Sequence, residues 1–159
     1  MGGGSSDDFS VRSAAEALEV ITTITDALRY FLAAMAALSL IVGGIGIMNI
    51  MLISVTERTR EVGLRKALGA NNTNILGQFL TESIVVTLLG GLIGIVFGAI
   101  VSFLISVVIQ FLGYDWSFIV TFFSVILAVL VSMIIGLVFG LYPAIKASKL
   151  DPIEALRYE

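Results

Sequence analysis

The sequence predicts an all-α integral membrane protein: three transmembrane helices, an N-terminal stalk helix, and a short cytosolic helix between the first two spans. Three observations carry this. Of 159 residues, 58% are hydrophobic and 13% charged, whereas soluble domains hold roughly 25% charged residues. Three runs, Tyr30–Val55, Ser83–Leu112 and Ser117–Ala144, contain no Asp, Glu, Lys or Arg. Each exceeds the roughly 20 apolar residues that a helix needs to cross a bilayer core. The Lys and Arg residues sit in alternate connections, as the positive-inside bias requires.

Taken in order, residues 1–6 (MGGGSS) read as a linker, and no basic stretch followed by a short apolar run and a cleavage site marks a signal peptide. Residues 7–29 read as an amphipathic helix. Val11, Ala14, Leu18, Ile21, Thr25 and Leu28 recur every three or four positions, with Arg12, Glu16, Glu19 and Asp26 mostly off that row. Such a helix serves either as a stiff stalk running into the first span or as a flank whose apolar side packs on a missing partner. The net charge of −3 lies wholly in this leading region. With no long basic run elsewhere, the chain is not expected to bind nucleic acid.

The first span covers 30–55, with Gly43, Gly44 and Gly46 as a contact or a flexible point. The connection 56–82 carries Arg58, Arg60, Arg65 and Lys66 and is assigned to the cytosol. Within it, 56–69 reads as a short helix. Glu61 precedes Arg65 by four residues, Arg65 and Lys66 fall in the last turn, and Gly69 stands where helices commonly end left-handed. Asn71 or Asn72 then caps a second, interfacial helix bearing Ile75, Leu76, Phe79 and Leu80. Asn71–Thr73 matches a glycosylation sequon, discounted on the cytosolic side.

The second span covers 83–112 and needs tilt or an overhang. Residues 113–116, Gly-Tyr-Asp-Trp, form an extracytoplasmic turn without Lys or Arg. The third span is 117–144, and 145–159 is a cytosolic tail with Lys146, Lys149 and Arg157. There Asp151 suits a helix cap, Pro152 its first position and Glu154 the third residue after the cap. This tail, with Ile153 and Leu156 on its apolar side, either braces the membrane surface, touches a cytosolic partner or is solvated.

Small residues recur every four positions in the second span (Gly90, Gly94, Gly98, Ser102, Ser106) and the third (Ser124, Ala128, Ser132, Gly136, Gly140, Ala144). Lipid supplies no hydrophobic drive between helices, so such rows are where backbones approach closely. The expectation is packing along these rows, against each other or against a partner helix.

The composition also excludes chemistry. There is no Cys and no His, which removes disulfides, thiol catalysis and the commonest metal ligand. No nucleophile–base pair, metal cluster or G-x-x-x-x-G-K-[ST] motif occurs, so the chain is read as a non-enzyme without a cofactor of its own. GIGIMN at Gly44–Asn49 shares only the first glycines of a dinucleotide fingerprint and lies inside a span. The spans carry no charge for an ion relay; Asn49 and Gln110, near span ends, are their best polar candidates.

The charged connection invites a partner. Val62, Leu64 and Leu68 stand among charges of both signs, Gly63 permits close approach, and apolar anchors flanked by charges suit protein docking. The simpler account is a solvated, orienting loop.

Residues Gly43–Ala70, GGIGIMNIMLISVTERTREVGLRKALGA, closely resemble the second span and following segment of MacB/FtsX-type ABC transporter permeases. Leu141–Glu159, LYPAIKASKLDPIEALRYE, looks like that family's C-terminus, and the resemblance spans roughly residues 30–159. It implies a plasma (inner) membrane permease whose coupling helix seats in a groove of a cytosolic ABC ATPase. The partner-binding residues are then Glu57, Arg58, Arg60, Glu61, Val62, Gly63, Leu64, Arg65, Lys66, Leu68 and Gly69. It further implies a homodimer with a second permease protomer, a periplasmic or extracellular adaptor, and ATP and Mg on the partner ATPase. The function implied is export of macrolides, peptides or lipoproteins; the alternative is a non-transporting regulator that transmits motion to a cell-wall hydrolase. Relative to the family pattern, a first span, a large extracytoplasmic domain and an ATPase domain are not in the chain, so a truncated member is expected. A third class is a self-associating helical bundle or channel using the Gly/Ser rows alone.

Overall fold

A computed structural model describes residues 5–157, with side-chain surroundings for residues 15–155. It contains α1 (Ser5–Glu57), α2 (Thr59–Ala67), α3 (Asn72–Phe111), α4 (Phe122–Ser148) and α5 (Pro152–Arg157), and no strand among the described residues. Helices α1, α3 and α4 are long and apolar enough to cross a membrane. The all-α, multi-pass class predicted from the charge-free runs is the class observed.

The chain divides after Ile41 into two units. In the first, α1 is exposed on all sides from Ala15 onward, including Leu18, Ile21, Thr25 and Leu28 of the predicted apolar row. Val11 and Ala14 lie outside the residues whose side chains are described. Within the linker-like start, Ser5 and Ser6 are already helical. Thr22 and Thr23 both donate to the Glu19 carbonyl, and Thr25 to that of Ile21, each at 2.8 Å. Hydroxyls bonded to the preceding turn need no other partner.

The second unit begins at Val42. Its buried core gathers at one end, where Met51 and Val55 of α1, Val62 of α2, Ile75 and Phe79 of α3, and Ala144 and Ala147 of α4 meet. Here the sequence expectation is corrected. Residues 72–82 form no separate interfacial helix: α3 runs unbroken from Asn72, and Ile75 and Phe79 are 2% and 1% exposed. Helix α3 continues through Glu82, whose carboxylate pairs with Arg58 at 3.3 Å. Asn71 holds the N-cap position but makes no side-chain capping bond.

Away from this core the packing changes character. A Cβ on Gly140 would stand 2.0 Å from Ser83 Oγ, one on Gly136 2.2 Å from Thr87 Oγ1, and one on Gly91 2.2 Å from Ser132 Oγ. Each four-residue step up α3 therefore meets a four-residue step down α4. Ser83 Oγ donates to the Gly136 carbonyl across the seam at 3.0 Å. Small residues and a hydroxyl replace hydrophobic burial, as lipid demands. The α4 row does face α3. The α3 side of the seam, however, is Ser83, Thr87 and Gly91; Gly90, Gly94 and Gly98 would meet nothing within 4 Å. Gly44 packs under the Phe139 ring, whereas Gly43 and Gly46 face open space.

At the far end Gly113, with φ +88, turns the chain. Residues 114–121 are not helical, so α4 starts at Phe122 rather than at Ser117. The segment is folded back on α3. The Trp116 carbonyl accepts from Gln110 Nε2 at 2.6 Å and Ser106 Oγ at 3.2 Å, and Phe118 meets Phe103 edge-on, centroids 5.7 Å apart. Gln110 and Ser106 thus serve a backbone group outside any helix, Gln110 by the shorter bond. Gln110→Leu is expected to free Trp116, the one tryptophan, at a cost of about 1 kcal/mol. Its fluorescence should become more accessible to acrylamide; unchanged quenching would contradict the assignment.

Candidate functional site

The charged connection becomes α2 after a break at Arg58, whose φ of −96° and ψ of 14° depart from helical values. Thr56 Oγ1 donates to the Ile53 carbonyl at 2.7 Å, and Thr59 Oγ1 to those of Val55 and Thr56 at 3.0 and 2.8 Å. These hydroxyls bond the preceding turn on either side of the break, and the helix restarts at Thr59. Thr56 and Glu57 thus belong to α1, and α2 is shorter than the predicted 56–69. Its other end is closed as expected. Gly69 has φ +101, its N–H donates to the Lys66 carbonyl, and the Ala70 N–H donates to that of Arg65, both at 3.0 Å. This paired closure needs a left-handed residue, which glycine adopts without strain.

The predicted partner-binding residues fall into three groups. Val62 and Gly63 point into the chain itself: Val62 enters the core, and a Cβ on Gly63 would stand 2.6 Å from that of Ala155. Arg58, Glu61, Arg65 and Lys66 are engaged within the chain. Arg65 bonds both Glu61 and Gln78, tying α2 to α3. Lys66 Nζ donates to the Leu150 carbonyl at 2.7 Å. Glu57, Arg60, Leu64 and Leu68 face outward with Gly69, Leu64 at 53% and Leu68 at 81% exposure. Among the described residues, Glu57 and Arg60 make no ion pair.

The site therefore presents Leu64 of α2 and Leu68 at its C-cap, with Arg60 of α2 and Glu57 at the end of α1 also outward, on a segment held from behind. Exposed ion pairs such as Arg58–Glu82 contribute little each, so Val62 in the core and the close approach of Gly63 to Ala155 do most of the holding. Sequence reading missed Gln78 and Ala155. Gln78 stands on the first turns of a helix read as interfacial, and Ala155 is small enough to pass unnoticed.

A family model for the FtsX-like permease C-terminal region matches residues 33–152. Over 153 residues, 96% of this chain, the sequence is 56% identical to a macrolide export ATP-binding/permease protein MacB of Bdellovibrio bacteriovorus, covering 23% of that protein. It is 49% identical over 98% of its length to the uncharacterized ABC transporter permease YknZ of Bacillus subtilis, covering 38% of it. A MacB of Syntrophobacter fumaroxidans is likewise 49% identical over 98% of the chain, which covers 21% of that protein. The chain thus spans well under half the length of these relatives.

Proposed function

The chain belongs to the FtsX-like permease C-terminal family, and from that premise we propose that it is the membrane part of an ATP-driven machine whose α2 docks on a cytosolic ABC ATPase. The observation that carries this is the outward pair Leu64 and Leu68, with Arg60 of α2 and Glu57 at the end of α1 also outward, while Val62 and Gly63 of α2 pack on the chain itself. Exposed leucines rimmed by charge suit a protein groove. The names of the relatives, ATP-binding/permease and ABC transporter permease, support an ATPase in the same system. ATP and Mg belong to that partner.

In this reading the α2 end faces the cytosol with the C-terminus, and the N-terminal segment lies outside, following the Lys and Arg distribution. The ATPase biases α2 only so far as its closed and open states bind α2 with different free energy. The work passes to α1 through Met51 and Val55, which share the core with Val62. A second protomer completes the permease, and macrolides are the cargo that the MacB names suggest. The uncharged spans also favour a second reading, transmission of motion to an extracytoplasmic hydrolase, because a hydrophilic cargo finds no charged path. Efflux by the parent protein separates it from hydrolase activation.

The test uses the chain with its cognate ATPase. Leu68→Asp and Leu64→Asp are each expected to weaken capture at least about tenfold, equivalent to about 1.4 kcal/mol, with membrane insertion unchanged. Full capture by both variants contradicts docking through this face. The chain has no Cys, so a single Cys at position 72 reports its side; labelling from outside intact cells contradicts the orientation.

A further inference from the structure

The tail helix α5 has no stability of its own. Isolated helices shorter than about 12 residues are marginal in water, and α5 runs only from Pro152 to Arg157. Its order comes from its surroundings. Asp151 Oδ1 accepts from the Ile153 N–H at 2.8 Å, the Asp151 carbonyl accepts from the Ala155 N–H at 2.9 Å, and Leu150 packs against the core. One side chain then settles how α5 sits. Ala155 is 2% exposed while Ile153, on the same helix, is 77% exposed. What buries Ala155 is α2. A Cβ on Gly63 would lie 2.6 Å from Ala155 Cβ and 3.5 Å from both the Ala155 carbonyl carbon and the Pro152 carbonyl oxygen. The two helices approach almost backbone to backbone, and Lys66 fastens the same edge by donating to the Leu150 carbonyl.

We propose that α5 is a clamp that positions α2, with Gly63 and Ala155 as the positioning pair. The proposal rests on reading α2 as the docking helix and adds what holds it at its angle. Val62 anchors one side of α2, and the Arg65–Gln78 bond ties it to α3. Without α5, the Gly63 side is open and the short helix is free to roll about the Val62 anchor. A push from the partner is then absorbed as rotation of α2 and does not reach α1. The tail is thereby part of the coupling unit and not a solvated end.

The test is a size swap. Alanine favours a helix over glycine by about 1 kcal/mol, so propensity alone makes Gly63→Ala stabilise α2. The clamp predicts the reverse: α2 amides exchange hydrogen about tenfold faster in Gly63→Ala, with α4 unaffected. Combining it with Ala155→Gly restores the exchange to within about twofold, since one methyl has moved across the contact and the propensity terms cancel. With the cognate ATPase, Gly63→Ala lowers maximal stimulation without changing the KM for ATP, and the swap recovers it. Slower or unchanged exchange in Gly63→Ala, or a swap that fails to restore it, overturns the clamp. A second variant ending at Lys149 gives the same decision: α2 exchange unaltered by loss of the tail overturns it, and faster exchange supports it. These exchange outcomes need no ATPase. If the swap behaves as expected but the unaltered chain captures no ATPase, the docking reading fails and the positioning of α2 by α5 stands.

Discussion

Gly140→Leu is expected to unpack α3 from α4 while Gly94→Leu leaves the chain as stable as before. Both positions are glycines in membrane-spanning helices, and both replacements gain about 0.8–1 kcal/mol of helix propensity. The difference lies in what the new side chain meets. At Gly140 the Cβ alone would stand 2.0 Å from Ser83 Oγ and 2.5 Å from Ser83 Cβ, whereas at Gly94 there is nothing within 4 Å. Ser83 is fully buried and also donates to the Gly136 carbonyl, so it cannot yield without giving up a bond worth about 0.6 kcal/mol in a membrane. Overpacking adds about 1–3 kcal/mol. Set against the propensity gain, the net is a loss of about 1–3 kcal/mol at Gly140, visible as earlier unfolding in a denaturing-detergent titration. Gly140→Ala should lose part of this, and Ser83→Gly should return it. Equal behaviour of Gly140→Leu and Gly94→Leu would contradict the seam.

The same pair separates fold from assembly. The proposed homodimer needs a face on each protomer, and the open row Gly90, Gly94 and Gly98 is a candidate for that role. Gly94→Leu that is stable yet no longer self-associates would place a partner helix there. Full self-association would send the search for the dimer contact elsewhere.

The contrast also marks how much could be read from the sequence. The spans were legible because a charge inside lipid is costly, and a charge-free run is therefore informative by itself. Gly69 was legible because a helix with basic residues in its last turn, followed by glycine, has one common ending. The choice between Ser83–Thr87–Gly91 and Gly90–Gly94–Gly98 was not. The two rows differ by one residue, or about 100° around the helix, and both offer small side chains; only the position of α4 selects one. The start of α4 was hidden for another reason. Hydropathy counts side chains, and Ser117–Thr121 is as apolar as a span, but its fold-back depends on Gln110 and Ser106 finding the Trp116 carbonyl. In α2 the pattern offered apolar residues on opposite sides, and α5 decides that Gly63 turns in while Leu68 turns out.

Phe79→Ala is the second large effect expected, and it bears on transmission more than on docking. Phe79 is 1% exposed and lies in the cluster with Met51, Val55, Val62, Ala144 and Ala147. Arg58, Glu82 and Lys66 stand around this end of the unit, the first two ion-paired and half-exposed. It therefore borders water, and burial there carries the full hydrophobic term that lipid-facing parts of the bundle lack. Removing a buried phenylalanine leaves a cavity and costs about 3–5 kcal/mol. In a chain of this size that is a fall in melting temperature of roughly 10 °C. Leu68→Ala, at an exposed position, should change stability by less than about 0.5 kcal/mol. The two variants then fail differently with a cognate ATPase. Leu68→Ala keeps the fold and weakens capture. Phe79→Ala loosens the core that joins α2 to α1, so whatever capture remains drives less work. A milder variant, Phe79→Leu, keeps most of the volume and should restore most of the stability. If stimulation returns in step with stability along this series, the core is the route by which force leaves α2. If stimulation is complete in Phe79→Ala despite the lost stability, α2 passes its motion to α3 through the Arg65–Gln78 and Arg58–Glu82 ties, and the shared core is only a support.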